Sequence, residues 1–89
     1  MERRRIIYRG TVQGVGFRWA AVQAARPCAV TGYVRNADDG SVEVVVEGAA
    51  EELERFAGQL EERMSGYIET REVEELAATG EFGGFTVEH

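Results

Sequence analysis

The segment Gly10–Arg18 combines residue types that can bind an oxyanion, since it reads Gly-Thr-Val-Gln-Gly-Val-Gly-Phe-Arg. Glycines let successive backbone N–H groups turn towards an anion, and a following helix adds unpaired N–H groups and the positive end of its dipole. Arg18 adds a planar set of donors that matches phosphate oxygens. The spacing is that of neither a P-loop nor a dinucleotide fingerprint, because no Gly-Lys-Ser/Thr ends it and Trp19 stands where a third glycine would be. On its own, a strand followed by a glycine-rich turn into a helix is more often an ordinary connection than an anion site.

A second polar group, Asn36, ends an apolar stretch directly before the turn Ala37–Gly40. Its carboxamide offers an acceptor and two donors and can hold a water molecule, whereas a carboxylate there would repel a phosphate. An asparagine before a turn is also a common turn former that bonds its own backbone. Asp38 and Asp39 are the acids beside it, and we expect them to shape the turn rather than to act as bases.

The composition excludes several kinds of site. Cys28 is the only cysteine and His89 the only histidine, so neither an internal disulfide nor a His/Cys metal cluster is possible. We expect Cys28 to be a small buried apolar residue. All ten cations are arginines, which excludes a lysine Schiff base and a Walker lysine. No apolar stretch is long enough for a membrane span or a signal peptide, so we expect a cytoplasmic location.

The charge is unevenly distributed along the chain. Residues 1–36 carry seven arginines against Glu2, a net charge of +6, whereas residues 37–89 carry a net charge of −12. The glycine-rich segment therefore lies in the basic part, where a small anion would be attracted. The overall charge of −6 argues against a nucleic acid or an anionic membrane as partner.

Hydrophobic periodicity indicates the elements that must position these residues. It predicts strands over Arg3–Gly10, Val30–Asn36, Ser41–Gly48, Tyr67–Leu76 and Phe85–Glu88, and helices over Phe17–Cys28 and Ala49–Met64. Pro27 should end the first helix early, and the Asp-Gly turn should join the second and third strands in a hairpin.

Two strands carry more detailed expectations. The third strand should be half buried, with Val42, Val44 and Val46 on the core face and Glu43 and Glu47 on the other. The fourth strand alternates poorly, which predicts a bulge or an exposed edge. The glutamates of the second helix should form its solvated face.

This order of elements predicts an α+β fold. We expect a single domain over residues 1–89, a ferredoxin-like two-layer sandwich whose split βαββαβ antiparallel sheet gains a short C-terminal strand and carries two helices on one face. The same architecture serves enzymes, regulatory modules and RNA-binding domains, so it does not decide the function.

Two segments resemble the signature motifs of the acylphosphatase family. Gly10–Arg18 fits Gly-x-Val-Gln-Gly-Val-x-aromatic-Arg throughout. Gly32–Gly48 fits the second motif, in which Gly-aromatic-small-basic-Asn is followed by any three residues, then by Gly-x-Val, then by any five residues and a final Gly. The Gly-Glu-Phe-Gly-Gly-Phe stretch at Gly80–Phe85 is also similar, so the resemblance extends over essentially the whole chain.

The resemblance implies an enzyme that hydrolyses the carboxyl-phosphate bond of small-molecule acyl phosphates to a carboxylate and inorganic phosphate, without a metal or other cofactor. We expect the chain to be a monomer. It implies that Arg18 holds the phosphate oxygens and that Asn36 positions the attacking water. The implied phosphate-binding residues are Gln13, Gly14, Val15, Gly16, Phe17 and Arg18. The chemistry is consistent with this set, because the leaving carboxylate has a conjugate acid with a pKa of about 4 and needs no general acid.

The chain departs from the family pattern at two places. Arg26-Pro27-Cys28-Ala29 stands where family members usually have a glycine after the first helix, and Ala37 replaces a frequent threonine. The family's chain end lies near the arginine, so the carboxylate of His89 is expected to approach Arg18.

Two other functions stay open at this level. A non-enzymatic regulatory or assembly module could keep the anion-binding loop, as in the acylphosphatase-like domain of hydrogenase-maturation carbamoyltransferases. A ferredoxin-like RNA binder is disfavoured by the acidic charge and by Val42, Val44 and Val46, which leave no room for stacked aromatic side chains on the middle strand.

Overall fold

The computed structural model describes all 89 residues as two helices packed on one five-stranded sheet. The strands are β1 (Glu2–Gly10), β2 (Val30–Asn36), β3 (Val42–Gly48), β4 (Ile68–Ala77) and β5 (Phe85–Glu88), and the helices are α1 (Phe17–Ala25) and α2 (Ala50–Arg63). The order across the sheet is β4-β1-β3-β2-β5. The predicted α+β sandwich is confirmed, with β5 added at the edge beside β2 in parallel orientation, so the sheet is mixed rather than wholly antiparallel.

The core lies between the sheet and the two helices. One face of the sheet contributes Ile6, Tyr8, Val34 and the three alternate valines of β3, and the helices add aromatic and aliphatic side chains. The buried alanines of α1 let that helix approach the sheet closely, and Phe17 at its start packs against Tyr8 with ring centroids 5.2 Å apart. This contact anchors the first turn of α1 at the end of β1.

The helix bounds follow from local chemistry. α1 ends at Ala25, three residues before the predicted limit, because Pro27 lacks an N–H and cannot continue the helix. α2 begins after Ala49 and ends before Met64, close to the predicted bounds, and the glutamates of its first turn favour the positive end of the dipole.

The fourth strand confirms both parts of its prediction. β4 pairs only with β1 and forms an edge of the sheet, and the pairing register shifts between Arg9 and Gly10. Since one side of β4 has no neighbouring strand, its side chains are largely exposed and the sequence does not need strict alternation.

The prediction that β3 is half buried is wrong. Glu43 is 5% exposed and Glu47 is 1% exposed, so every residue of β3 is buried. Arg5 and Arg35 each place Nε 2.5 Å from a carboxylate oxygen of Glu43, and the Nε of Arg3 lies 2.7 Å from Glu47. The neighbouring strands thus cover the carboxylates with arginine side chains, an effect of pairing between distant segments that alternation along β3 alone cannot reveal.

The face of the sheet opposite the helices also bears on the RNA-binding hypothesis. The middle strand presents Glu43, Val45 and Glu47 there, while its other valines face the helices. The middle strand therefore presents no aromatic side chain on this face, where RNA-binding domains of this architecture stack bases.

Candidate active site

The loop between β1 and α1 holds a run of unpaired backbone donors. None of the eight N–H groups from Val12 to Trp19 donates a hydrogen bond to another group of the chain. Gly14 has φ of 77° and Gly16 has φ of 81°, a left-handed conformation that favours glycine and turns successive N–H groups to one side. Gly16 is also the N-cap of α1, and no side chain caps that end. The loop and the first turn of α1 therefore form a cradle of free N–H groups at the positive end of the helix.

Arg18, the second residue of α1, lies at this cradle with its guanidinium free. Most arginines of the chain form ion pairs, namely Arg3, Arg4, Arg5, Arg9, Arg35, Arg55 and Arg71. Arg18 forms none, although it is only partly exposed. Its five donors remain available for an anion held by the neighbouring N–H groups.

Asn36 reaches the same cleft from another part of the chain. It is the last residue of β2, it is half buried, and it lines the cleft together with Gly14, Gly16 and Arg18. Its carboxamide makes no hydrogen bond within the chain, so it does not act as the turn former that the sequence also allowed.

Asp39 takes the turn-forming role instead. Its carboxylate accepts hydrogen bonds from the hydroxyl of Ser41 at 2.6 Å and from the Ser41 N–H at 3.0 Å, and Arg9 adds a third at 3.1 Å. These bonds, led by that of the Ser41 hydroxyl, lower the pKa of Asp39 to about 2. As predicted, Asp39 shapes the turn.

Gln13 connects the cradle to the turn beyond Asn36. Its side-chain amide donates hydrogen bonds to the carbonyl oxygens of Ala37, at 2.7 Å, and Ser41, at 2.9 Å. The family resemblance implies that Gln13 contributes a backbone N–H to the phosphate-binding loop. In addition, the side chain links two loops that are far apart in sequence, and this link fixes the distance between Asn36 and the cradle.

Gly14, Gly16, Arg18 and Asn36 line a cleft of about 500 Å³ that continues past the cradle along α1. Its farther walls are Trp19, Val22, Gln23, Arg26, Val87 and His89. Two arginines line the cleft, and none of its lining residues is Asp or Glu. The cleft is therefore a cationic site with apolar walls, as an anion with an organic substituent would require.

Two further expectations concern His89 and Cys28. His89 lies in the wall of the cleft, but its carboxylate forms no ion pair with Arg18. No group of three or more His, Cys, Asp and Glu side chains is arranged to hold a metal ion. Cys28 is buried, as predicted, and lies outside the cleft.

The side of α1 that faces the cleft was not predicted from the sequence. Trp19, Val22, Gln23 and Arg26 are spaced i, i+3, i+4 and i+7, which places them on one side of the helix. This spacing can be read from the sequence, but the apolar stripe of Phe17 and the alanines indicates only the side of the helix that packs on the core.

No helix of the chain is both long enough and apolar enough to cross a bilayer.

Comparisons with known proteins agree on one family. A sequence profile described as acylphosphatase matches residues 4–87. The acylphosphatase of Oceanobacillus iheyensis is 36% identical over 91 aligned residues and is covered completely, as is this chain. The crystal structure of the Bacillus subtilis acylphosphatase superposes with a TM-score of 0.89 at 30% identity, over 100% of both chains. The crystal structure of HypF from T. kodakarensis superposes with a TM-score of 0.84 at 32% identity, where the match covers all of this chain and 12% of HypF.

Proposed function

This chain belongs to the acylphosphatase family, whose members are hydrolases, and from that premise we propose how it cleaves the carboxyl-phosphate bond of an acyl phosphate. The observation that carries the proposal is the convergence on one cleft of unpaired loop N–H groups, the free guanidinium of Arg18 and the free carboxamide of Asn36. We assign the phosphate to the cradle formed by Gln13, Gly14, Val15, Gly16, Phe17 and Arg18, and the attacking water to Asn36.

Fixed donors can supply most of the catalysis in this reaction. Charge on the phosphoryl oxygens is stabilised by N–H groups and a guanidinium that are already in place and need no reorganisation. The helix dipole of α1 adds to the same field. No aspartate or glutamate lines the cleft, and the C-terminal carboxylate of His89 in its wall forms no ion pair with Arg18, so the guanidinium donors are free for the substrate.

The reaction itself needs few further groups. The oxygen of the water bonds to phosphorus while the bond from phosphorus to the acyl oxygen breaks, and the leaving carboxylate keeps the electron pair. The water's protons remain on the inorganic phosphate that is formed. Since a carboxylate leaves without being protonated, the absence of Cys and Lys from the cleft is compatible with the mechanism.

Asn36 suits the water because its amide accepts and donates. The carboxamide can accept a hydrogen bond from the water and so direct the oxygen lone pair at phosphorus, and it carries no charge that would repel the dianion. Its place at the end of β2 gives it a rigid backbone, and the Gln13 link holds the turn that follows it.

The test is hydrolysis of benzoyl phosphate by the wild type and by Arg18→Ala and Asn36→Ala, with a metal chelator present. Removal of one oxyanion partner typically lowers turnover about 10²–10³-fold, and we expect at least that loss for each variant, with unchanged circular dichroism. The chelator should leave the wild-type rate unchanged. Wild-type activity in the Arg18→Ala variant would refute the proposed role of the guanidinium.

The match to part of HypF supports a second candidate function. There the same fold occupies 12% of a longer chain, so a domain of this shape can serve within a larger protein. Used in that way, this chain would bind phosphate as a regulatory or assembly module without turnover. Saturable phosphate binding in a protein that hydrolyses no acyl phosphate would favour this function over catalysis.

We further propose that the chain is one domain that acts alone, as a cytoplasmic monomer. Its exposed edge strand β4 carries Val73 and Leu76 among four glutamates and one arginine, so two such edges would repel each other. Light scattering at high and low protein concentration tests this state, and a dimer at low concentration would contradict it.

A further inference from the structure

The cleft is larger than a phosphate needs, and its second half has a chemistry of its own. Beyond the cradle it is lined by Trp19, Val22 and Val87, and it ends at Arg26. We propose that this second half is an acyl subsite that prefers acyl phosphates whose acyl group has an apolar body and carries a second oxyanion, a carboxylate or phosphate, at its far end. This inference rests on the proposed function, because it requires the reacting phosphate to lie in the cradle.

The apolar body is indicated by the walls of the cleft. Trp19 is 65% exposed, the largest aromatic side chain of the protein left open to solvent, and it directly follows Arg18. Val22 lies one turn further along α1, and Val87 projects from β5. An acyl group that leaves the cradle along α1 therefore passes between a tryptophan and two valines, which can cover a planar or aliphatic body.

The far oxyanion is indicated by Arg26. Like Arg18 it forms no ion pair or side-chain hydrogen bond within the chain, and it is exposed. The negative end of α1 favours a cation at this place, but that interaction leaves the guanidinium donors free. Nearby Arg55 shows the contrast, because it is held by Glu52 and by the carbonyl oxygen of Pro27.

The separation of the two arginines sets the length of the substrate. Arg18 and Arg26 are eight residues apart along α1, about 12 Å at the rise of an α-helix. Their flexible side chains shorten the distance between the two anions, so a benzoyl group with an acidic para substituent can bridge it. Arg26 forms no ion pair with an acidic side chain or with the C-terminal carboxylate of His89, so its guanidinium is not neutralised before the substrate arrives.

The experiment compares two acyl phosphates of equal size. They are 4-carboxybenzoyl phosphate and 4-carbamoylbenzoyl phosphate, which differ in the charge of the para group. The kcat/KM of each is measured for the wild type, for Arg26→Gln and for Arg63→Gln. Arg63 is the matched control, since it is also exposed and without an ion pair but lies at the end of α2, away from the cleft. Comparing each probe across the variants cancels the different intrinsic reactivity of the two acyl phosphates.

We expect Arg26→Gln to lower kcat/KM for the carboxylate probe about five- to tenfold, the effect of one solvent-accessible charge pair with hydrogen bonding. The kcat/KM for the carbamoyl probe should stay unchanged. Arg63→Gln should change neither. Raising the ionic strength should also reduce the preference of the wild type for the carboxylate probe, as the Arg26→Gln substitution does. A third probe, 4-phosphonobenzoyl phosphate, distinguishes a carboxylate from a phosphate at the far end of the subsite. The para group whose kcat/KM falls more in Arg26→Gln is the one that the subsite binds.

Two results would overturn the subsite. One is an equal change in kcat/KM for both probes in Arg26→Gln, which would mean that Arg26 acts only on the reacting phosphate. The other is an unchanged kcat/KM for both probes in Arg26→Gln, together with a wild type whose preference for the carboxylate probe does not depend on salt. If the wild type hydrolyses neither probe nor benzoyl phosphate, the proposed function itself fails, and that outcome is distinct from failure of the subsite.

Discussion

The side-chain amide of Gln13 donates a 2.7 Å hydrogen bond to the carbonyl oxygen of Ala37, the residue next to Asn36. One end of this contact belongs to the loop that we assign to the phosphate and the other to the turn after the residue that we assign to the water. With the second bond to Ser41, at 2.9 Å, it holds the two halves of the site at a fixed separation. Catalysis by orientation depends on such separations.

Gln13→Ala should therefore lower kcat about 10- to 100-fold, the effect of a small misplacement of reacting groups. The affinity for inorganic phosphate should change much less, because the N–H groups and Arg18 remain. Steady-state kinetics and phosphate inhibition measure the two effects, with Gln59→Ala on α2 as the control. An equal loss of kcat and of phosphate affinity would show that Gln13 supports the cradle rather than the placement of Asn36.

Gly16→Ala tests the shape of the cradle. A Cβ at this position would meet no atom within 4 Å, so the cost is the left-handed φ of 81° alone. We expect a loss of about 1 kcal/mol in the free energy of unfolding and weaker phosphate binding. Gly58→Ala is the control, because Gly58 lies within α2 with similarly open surroundings, and alanine there should stabilise by about 0.5–1 kcal/mol. Urea unfolding and phosphate inhibition measure both variants, and unchanged phosphate binding in Gly16→Ala would contradict the role of this backbone conformation.

Glu47→Gln tests the buried carboxylate on the open face of the sheet. Glu47 accepts hydrogen bonds from the N–H of Thr79 and of Gly80, both at 2.9 Å, and from Arg3 at 2.7 Å. These bonds, the Thr79 N–H first, lower its pKa below the ordinary value. A carboxyl with a lowered folded-state pKa stabilises the fold above its unfolded pKa of about 4.3 and loses that stabilisation as the pH falls through the folded value.

We therefore expect the free energy of unfolding of the wild type to fall between about pH 5 and pH 3. Glu47→Gln should be less stable at neutral pH and should show a smaller slope in that range. Denaturant unfolding at several pH values measures this, and Glu62→Gln, an exposed glutamate without a partner on α2, should leave the slope unchanged. An unaltered acid slope in Glu47→Gln would mean that other carboxylates cause the acid sensitivity.

Trp19→Ala tests the apolar wall of the cleft. Since Trp19 is 65% exposed, its loss should leave the unfolding midpoint nearly unchanged. The kcat/KM for benzoyl phosphate should fall several-fold, while that for acetyl phosphate, whose acyl group does not reach the wall, should stay the same. Tyr67→Ala, which removes another exposed aromatic ring, is the control. An equal loss of kcat/KM on both substrates would place Trp19 at the phosphate rather than at the acyl group.

As the only tryptophan, Trp19 also gives a fluorescence signal for ligand binding in the unmodified protein.

The sequence by itself determined the local features of this protein. Alternation and turn chemistry gave the bounds of β2 and β5 without error, and Pro27 predicted the early end of α1. The glycines, Arg18 and Asn36 were recognisable as candidate anion and water ligands because their chemistry depends on residue type and near neighbours. Motif spacing over the whole chain indicated the family.

Only the tertiary structure decided which charges are free. The sequence places most arginines in one half and most acids in the other, yet strand pairing brings Arg3 to Glu47 and Arg5 to Glu43 across more than 35 positions. Those contacts bury both carboxylates and neutralise arginines that a count of charges would assign to the anion site. Arg18 and Arg26 stay unpaired in the cleft because no acidic residue packs against that side of α1. The reason is physical: whether a charge is available to a ligand depends on its neighbours in space, and those are set by the register of β1, β2 and β3.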